Sequence, residues 1–176
     1  MKSKKINIKS HYLILIISVL ILSCTNPFAP KSIDFTGVPA ILGDQTTIEG
    51  VFTNFGYAYK MKDTVVYGNL LADDFTFIFR NYDREPVVDE SWGREIDMIT
   101  TYGLFKGTQR LDLVWNDITS LIQDSLLVNV WRSFVLEVAF SPDDRFKLQG
   151  KVNFTLVKAA EDAPWKILQW RDETNN

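Results

Sequence analysis

The sequence predicts an α+β domain, with helices gathered towards the N-terminal side and packed on an antiparallel sheet built from the rest of the chain. Two observations predict it. Between Thr46 and Tyr102 the apolar residues recur mainly at three- and four-residue steps, and from Arg110 to Arg171 they alternate with polar ones. The change of period falls near Gly107.

Taken in order, Thr46 to Lys62 reads as the first helix, because Ile48, Val51, Phe52, Phe55 and Tyr59 make one apolar stripe. A short second helix starts at an Asp63 or Thr64 cap and ends near Leu71. Asp73-Asp74 reads as the turn into a first strand, 75–80, and the polar stretch 81–90 as a loop. Ser91 is positioned as the N-cap of a third helix carrying Trp92, Ile96, Ile99, Met98 and Tyr102, with Gly107 as its stop. Strands follow at 110–115, 126–140, 146–156 and 165–171. The clearest alternates Phe146, Leu148, Val152, Phe154 and Leu156 with Lys147, Gln149, Lys151, Asn153 and Thr155. On the last strand either Trp165 and Ile167, or Leu168 and Trp170, should face the helices.

The N-terminus has the parts of a secretory signal. Lys2, Lys4, Lys5 and Lys9 precede an apolar run from Tyr12 to Leu22. That run is about half of the ~20 residues a membrane-spanning helix needs. Ile21-Leu22-Ser23-Cys24 resembles a bacterial lipobox, which implies cleavage between Ser23 and Cys24 and a lipid on the Cys24 sulfur. Cys24 is the one cysteine in the chain, and a leftover cysteine in a secreted protein calls for such a role. Two or more acyl chains give a lasting anchor, at about 0.8 kcal/mol per buried methylene. The expected organisation is therefore a signal peptide at 1–23, a lipidated tether at 24–45, a domain at 46–172 and a tail at 173–176. Three prolines mark the tether, whose end-to-end distance is roughly 25 Å if flexible. The expected location is the cell envelope, on the outer membrane facing the periplasm if the host has two membranes, because Thr25 follows the cysteine.

Cleavage sharpens what is excluded. The signal removes four of the 19 basic residues, leaving 15 against 22 acidic ones, a net charge of −7. Nucleic-acid binding then has little electrostatic support. The single histidine, His11, leaves with the signal, and the single cysteine is capped. Serine–histidine and cysteine–histidine catalysis is ruled out, as is a histidine- or cysteine-ligated zinc site. No phosphate-cradling glycine loop is present, and no cofactor or metal is expected.

Two stretches at opposite ends of the domain carry a family resemblance. Phe55-Gly-Tyr-Ala-Tyr-Lys-Met-Lys-Asp63, continued by Tyr67-Gly-Asn-Leu-Leu-Ala-Asp-Asp-Phe-Thr-Phe77, resembles the opening of nuclear-transport-factor-2-like and SnoaL-like domains. Ala163-Pro-Trp-Lys-Ile-Leu-Gln-Trp-Arg-Asp172 is similar to their last strand. The resemblance implies a cone-shaped fold, three N-terminal helices on a curved antiparallel sheet, enclosing a pocket. The family includes isomerases, dehydratases, cyclases and non-catalytic binding domains, so fold alone does not give function. Where the isomerases carry a catalytic carboxylate and a tyrosine, this chain has Phe79 and Phe55, and the histidine used by the dehydratases is missing from the mature chain. No catalytic residue is assigned. The expected pocket residues are Phe55, Tyr59, Trp92, Tyr102, Trp115 and Trp131. Asp97 and Asp112 are the remaining acids of interest, and both read as solvated. These observations point to an envelope-anchored, non-catalytic domain that binds a small apolar ligand or a protein, a second copy of itself included. A carboxylate-based cyclase or isomerase is the alternative.

Overall fold

The computed structural model describes residues 42–173. The expected signal peptide with Ser23 and Cys24, most of the expected tether and the end of the expected tail lie outside the described residues. Among the described residues no helix is long and apolar enough to cross a membrane.

Helix α1 (Ile48–Met61) is set by its two caps. The Thr47 hydroxyl accepts from the Gly50 amide at 3.0 Å, and Lys62 closes the helix in the left-handed region at φ 56°. Gly50 is required there, because a Cβ would stand 1.8 Å from the Asp44 carbonyl oxygen. Asp63 caps α2 (Thr64–Leu70), its Oδ1 accepting from the amides of Val65 and Val66. The domain starts slightly earlier than the sequence suggests. Asn54 bonds both backbone groups of Gly43, and the Trp165 amide donates to the Gln45 carbonyl at 2.9 Å.

The strands are β1 (Leu71–Asn81), β2 (Val88–Gly93), β3 (Arg110–Gln123), β4 (Leu127–Ala139), β5 (Arg145–Val157) and β6 (Lys166–Asp172). They form one sheet in the order β2-β1-β6-β5-β4-β3. The sheet is mixed rather than antiparallel throughout: β1 and β6 run parallel, because the last strand inserts between the first and the meander. Helix α3 (Arg94–Gly107) lies between β2 and β3 in the chain. The core is dominated by Val51, Phe52, Phe55, Tyr67, Phe75, Phe154 and Ile167.

Four sequence expectations are corrected. Asp73 and Asp74 do not form a turn before the strand. They lie within β1, exposed, where its register against β6 shifts between Leu71 and Thr76. Part of the expected loop is β2, which pairs Trp92 with Phe77 and Ser91 with Ile78. Ser91 is consequently strand, and α3 starts at Arg94 with Gly93 as its cap. On the last strand the two alternating sets are not exclusive. Leu168 is a bulge between Ile167, which pairs with Leu156, and Gln169, which pairs with Thr155. Trp165, Ile167 and Trp170 therefore all contribute to the core.

The fourth correction concerns α3. Its inward side carries Asp97, Thr101 and Phe105, whereas Ile99 and Tyr102 are 62% and 55% exposed, and Ile96 is exposed too. The helical period is as expected, but its phase is not. The extended residues of β2 delay the helix, and Phe105 with the half-buried Met98 and Leu104 supplies the inward apolar contacts.

Candidate functional site

Helix α1 packs against β3, and a cavity of about 230 Å³ lies between α1 and residues of β3, β4, β5 and β6. Phe55 and Tyr59 sit one helical turn apart on α1 and form one wall. The inward alternating residues of three strands form the opposite wall: Leu113 and Trp115, Phe134 and Leu136, then Leu148 and Val152. Trp170 and Asp172 of β6 close the remaining side.

The rings form a connected arc. Phe55 lies 5.6 Å from Trp115 and 5.5 Å from Trp170 between centroids, and Trp115 lies 5.9 Å from Phe134, all near edge-on. Trp115 is held by its Nε1–H, which donates to the Phe52 carbonyl at 3.0 Å. The Nε1–H of Trp170 is enclosed and meets no acceptor among the described residues. Leaving such a donor unmet costs about 1–3 kcal/mol.

A polar cluster lies behind Tyr59. Asp97 is 4% exposed, and its two oxygens accept from Tyr67 Oη at 2.6 Å and from Trp92 Nε1 at 3.1 Å. Burial raises the Asp97 carboxyl above the usual carboxylate range, although both hydrogen bonds pull it back. Burial likewise raises the phenols of Tyr59 and Tyr67, and the nearby Asp97 adds to both shifts. These phenols stay neutral, and that of Tyr67 donates to Asp97. Asp97 is thus a correction: it is buried and doubly bonded, not solvated. Asp112 does point away from the core, as expected, and pairs with Arg110.

Of the expected pocket residues, the structure brings Phe55, Tyr59 and Trp115 together in the cavity wall. Trp92 is half-buried but stands outside that wall, stacked on Phe77 at 4.5 Å and bonded to Asp97. Tyr102 is exposed on α3, so it lines nothing in the interior. Trp131 is also misplaced by the sequence reading. It alternates with Val130 and Arg132, which face inward, so it belongs to the other side of the sheet. Leu113, Phe134, Leu136, Leu148, Val152, Trp170 and Asp172 complete the cavity and were absent from the expected set. Their shared signal was the common face of the paired strands, which requires the register as well as the period.

A larger and more open groove, about 430 Å³, runs past Arg110, Glu137, Arg145 and Lys147. Arg110 pairs there with Asp112, Lys147 with Glu137 at 3.6 Å, and Arg145 donates to the Pro142 carbonyl at 2.9 Å. The mainly apolar, ring-lined cavity is the better candidate site. Among the described residues no group of three or more histidines, cysteines or carboxylates could hold a metal.

No protein-family model matches the sequence, and no curated protein does. Solved structures do match. A candidate scytalone dehydratase from Novosphingobium aromaticivorans is similar at a TM-score of 0.62 and 18% identity, over 73% of this chain and 82% of that one. An NTF2-like superfamily protein from Salmonella enterica aligns at a TM-score of 0.59 and 12% identity, covering 75% of this chain and 91% of its own. The fold is nuclear-transport-factor-2-like. A candidate dehydratase of the NTF2-like family from Streptomyces avermitilis gives the same result, at a TM-score of 0.55 and 13% identity over 72% and 92% of the two chains. Identities this low establish the NTF2-like architecture and not an activity.

Proposed function

We propose that this chain is a lipid-anchored protein of the bacterial envelope whose NTF2-like domain holds a small, mainly apolar ligand without transforming it. The observation that carries this reading is the cavity wall, in which nine of the ten lining residues are aromatic or aliphatic. Its ~230 Å³ lies below the roughly 300–1,000 Å³ of drug-sized sites. It exceeds the about 150 Å³ apolar cavity that accommodates benzene. A ligand of one or two rings, or a short chain, fits that range.

The anchor is supported by the signal-like N-terminus and its lone cysteine, with Thr25 favouring an outer-membrane location. The alternative, a carboxylate-based enzyme of the cyclase or isomerase type, draws support from the candidate dehydratases that share the fold. Two features weigh against it. Phe55 and Phe79 stand where the resemblance would put a donor and a base, one in the cavity wall and the other packed on Phe77 and Trp92. Asp97, the acid with the raised pKa, is engaged by two donors and stands outside the wall.

Calorimetric titration of the mature chain with one- and two-ring aromatic compounds at several temperatures tests the reading. One-to-one binding with a negative heat-capacity change is expected, because apolar surface is buried. Absence of binding across such a panel, or turnover of an enone substrate, would contradict it.

A further inference from the structure

Three large apolar side chains stand exposed in a row beside the cavity: Leu148, Phe146 and Phe140, at 45%, 43% and 41%. Leu148 belongs to the cavity wall, and Phe146 is the next residue of β5 on the same face. The pairing agrees: Leu148 stands opposite Leu136 and Phe146 opposite Val138, and both partners are buried. Phe140 lies two residues past Val138, and its ring stacks on that of Phe146 with centroids 5.8 Å apart. We propose that the cavity and this strip together hold one long unbranched acyl chain, its methyl end among the rings and its carboxylate in water beyond Phe146. This inference rests on the ligand-binding reading above and narrows its ligand class.

Single exposed apolar residues are ordinary, but these are contiguous with one another and with the cavity wall. The opposite face of the same strands is built differently. There Glu137 pairs with Lys147 and Arg110 with Asp112, as on a solvated sheet face. The face that carries the cavity has no charge along Leu136, Val138, Leu148 and Phe146. From Val152 to Phe146 is six residues of β5, about 20 Å along the strand. A compact ring compound that fills the cavity of about 230 Å³ does not also reach Phe146, whereas an extended chain covers both. Nine of the ten wall residues are aromatic or aliphatic and suit methylene groups. The tenth, Asp172, is already engaged within the protein and would repel a carboxylate, so the methyl end enters first.

The test titrates the full mature chain carrying Cys24→Ser calorimetrically with hexanoate, decanoate and tetradecanoate, each below its micelle concentration. Affinity should rise at least about tenfold at each step, because every added methylene leaves water for apolar surface. Phe146→Ser should weaken tetradecanoate about tenfold and leave hexanoate unchanged, because only the longer chain reaches that ring. The melting temperature should hold, since Phe146 is 43% exposed. Equal affinities for decanoate and tetradecanoate, or an undiminished tetradecanoate affinity in Phe146→Ser, would overturn the acyl-chain assignment while leaving the cavity a binding site. Self-association that Phe146→Ser abolishes, in a chain that binds no tetradecanoate, would assign the strip to a protein contact and equally contradict it. If neither the fatty acids nor the one- and two-ring compounds bound, the ligand-binding reading would fall as well.

Discussion

The Tyr67 hydroxyl donates to Oδ2 of Asp97 at 2.6 Å, tying α2 to α3 through a carboxylate that is 4% exposed. Trp92 completes the arrangement from β2, so three elements converge on one acid. Asp97→Ala should destabilise the domain by about 2–4 kcal/mol in urea denaturation, because two buried donors lose their acceptor. Asp97→Asn should cost less, since an amide oxygen still serves one of them.

The same residue fixes a pH dependence. Its folded-state pKa lies above the ordinary carboxylate value of 3.8. The folded form therefore binds the proton more tightly than the unfolded form does. Stability contributed by Asp97 should fall as pH rises from below 3.8 through the raised value, then level off. Denaturation midpoints of wild type and Asp97→Asn across that window check this. The wild type should lose ground to the variant as pH increases.

Arg132 is predicted to be the most sensitive charged residue outside that cluster. It is 8% exposed, donates from Nε to the Asn116 carbonyl at 2.5 Å and from a terminal nitrogen to Glu49 at 2.7 Å, and lies 4.7 Å from the Phe52 ring centre. Arg132→Ala should cost about 1–3 kcal/mol, because the Asn116 carbonyl loses its donor and Phe52 loses the guanidinium packed over its ring. Glu49→Ala should cost at most ~1 kcal/mol, because Glu49 is largely exposed and a surface partner contributes little. Arg132→Lys should not rescue, since it lacks the planar fork that reaches both acceptors. Thermal melts of the three variants decide this.

Truncation before Trp165 should abolish folding. Strand β6 lies between β1 and β5, so its loss divides the sheet and removes Trp165, Ile167 and Trp170 from the core. Each such side chain stabilises by about 1.5–3 kcal/mol. The sum is comparable with the ~5–15 kcal/mol stability of a whole domain. A truncated chain that melted cooperatively would contradict the architecture.

Much of this fold was legible along the chain, because Asp63 and Gly107 mark helix ends by local chemistry. The stripe Val51, Phe52, Phe55 and Tyr59 likewise identified the buried face of α1. What could not be read was set by tertiary partners. Strand β2 has little apolar content and exists through its pairing with β1. The inward place of Asp97 on α3 is supported by hydrogen bonds donated by Tyr67 and Trp92, a compensation invisible to a periodicity argument. The same limit applies to the cavity. Phe55, Tyr59 and Trp115 were found as aromatics on buried faces, whereas Leu148 and Asp172 depend on which strands end beside them. Trp131 failed for the complementary reason, since aromatic character does not say which sheet face a residue occupies.

Anchoring is tested separately. Cys24→Ser should abolish incorporation of a radiolabelled fatty acid and move the protein from the membrane to the soluble fraction. An unlabelled wild-type protein would sink the anchor while leaving the domain's binding role to be judged on its own.

The most direct test of the central claim is occlusion of the cavity. Leu148 lies in its wall and is 45% exposed, so Leu148→Trp adds bulk at the rim without crowding a sealed core. Fluorescence titration of the mature chain with N-phenyl-1-naphthylamine should show saturable binding. In Leu148→Trp that binding should weaken at least tenfold while the melting temperature stays close to that of the wild type. Equal probe binding by both proteins, or none by either, would contradict a ligand seated between Phe55, Trp115 and Trp170.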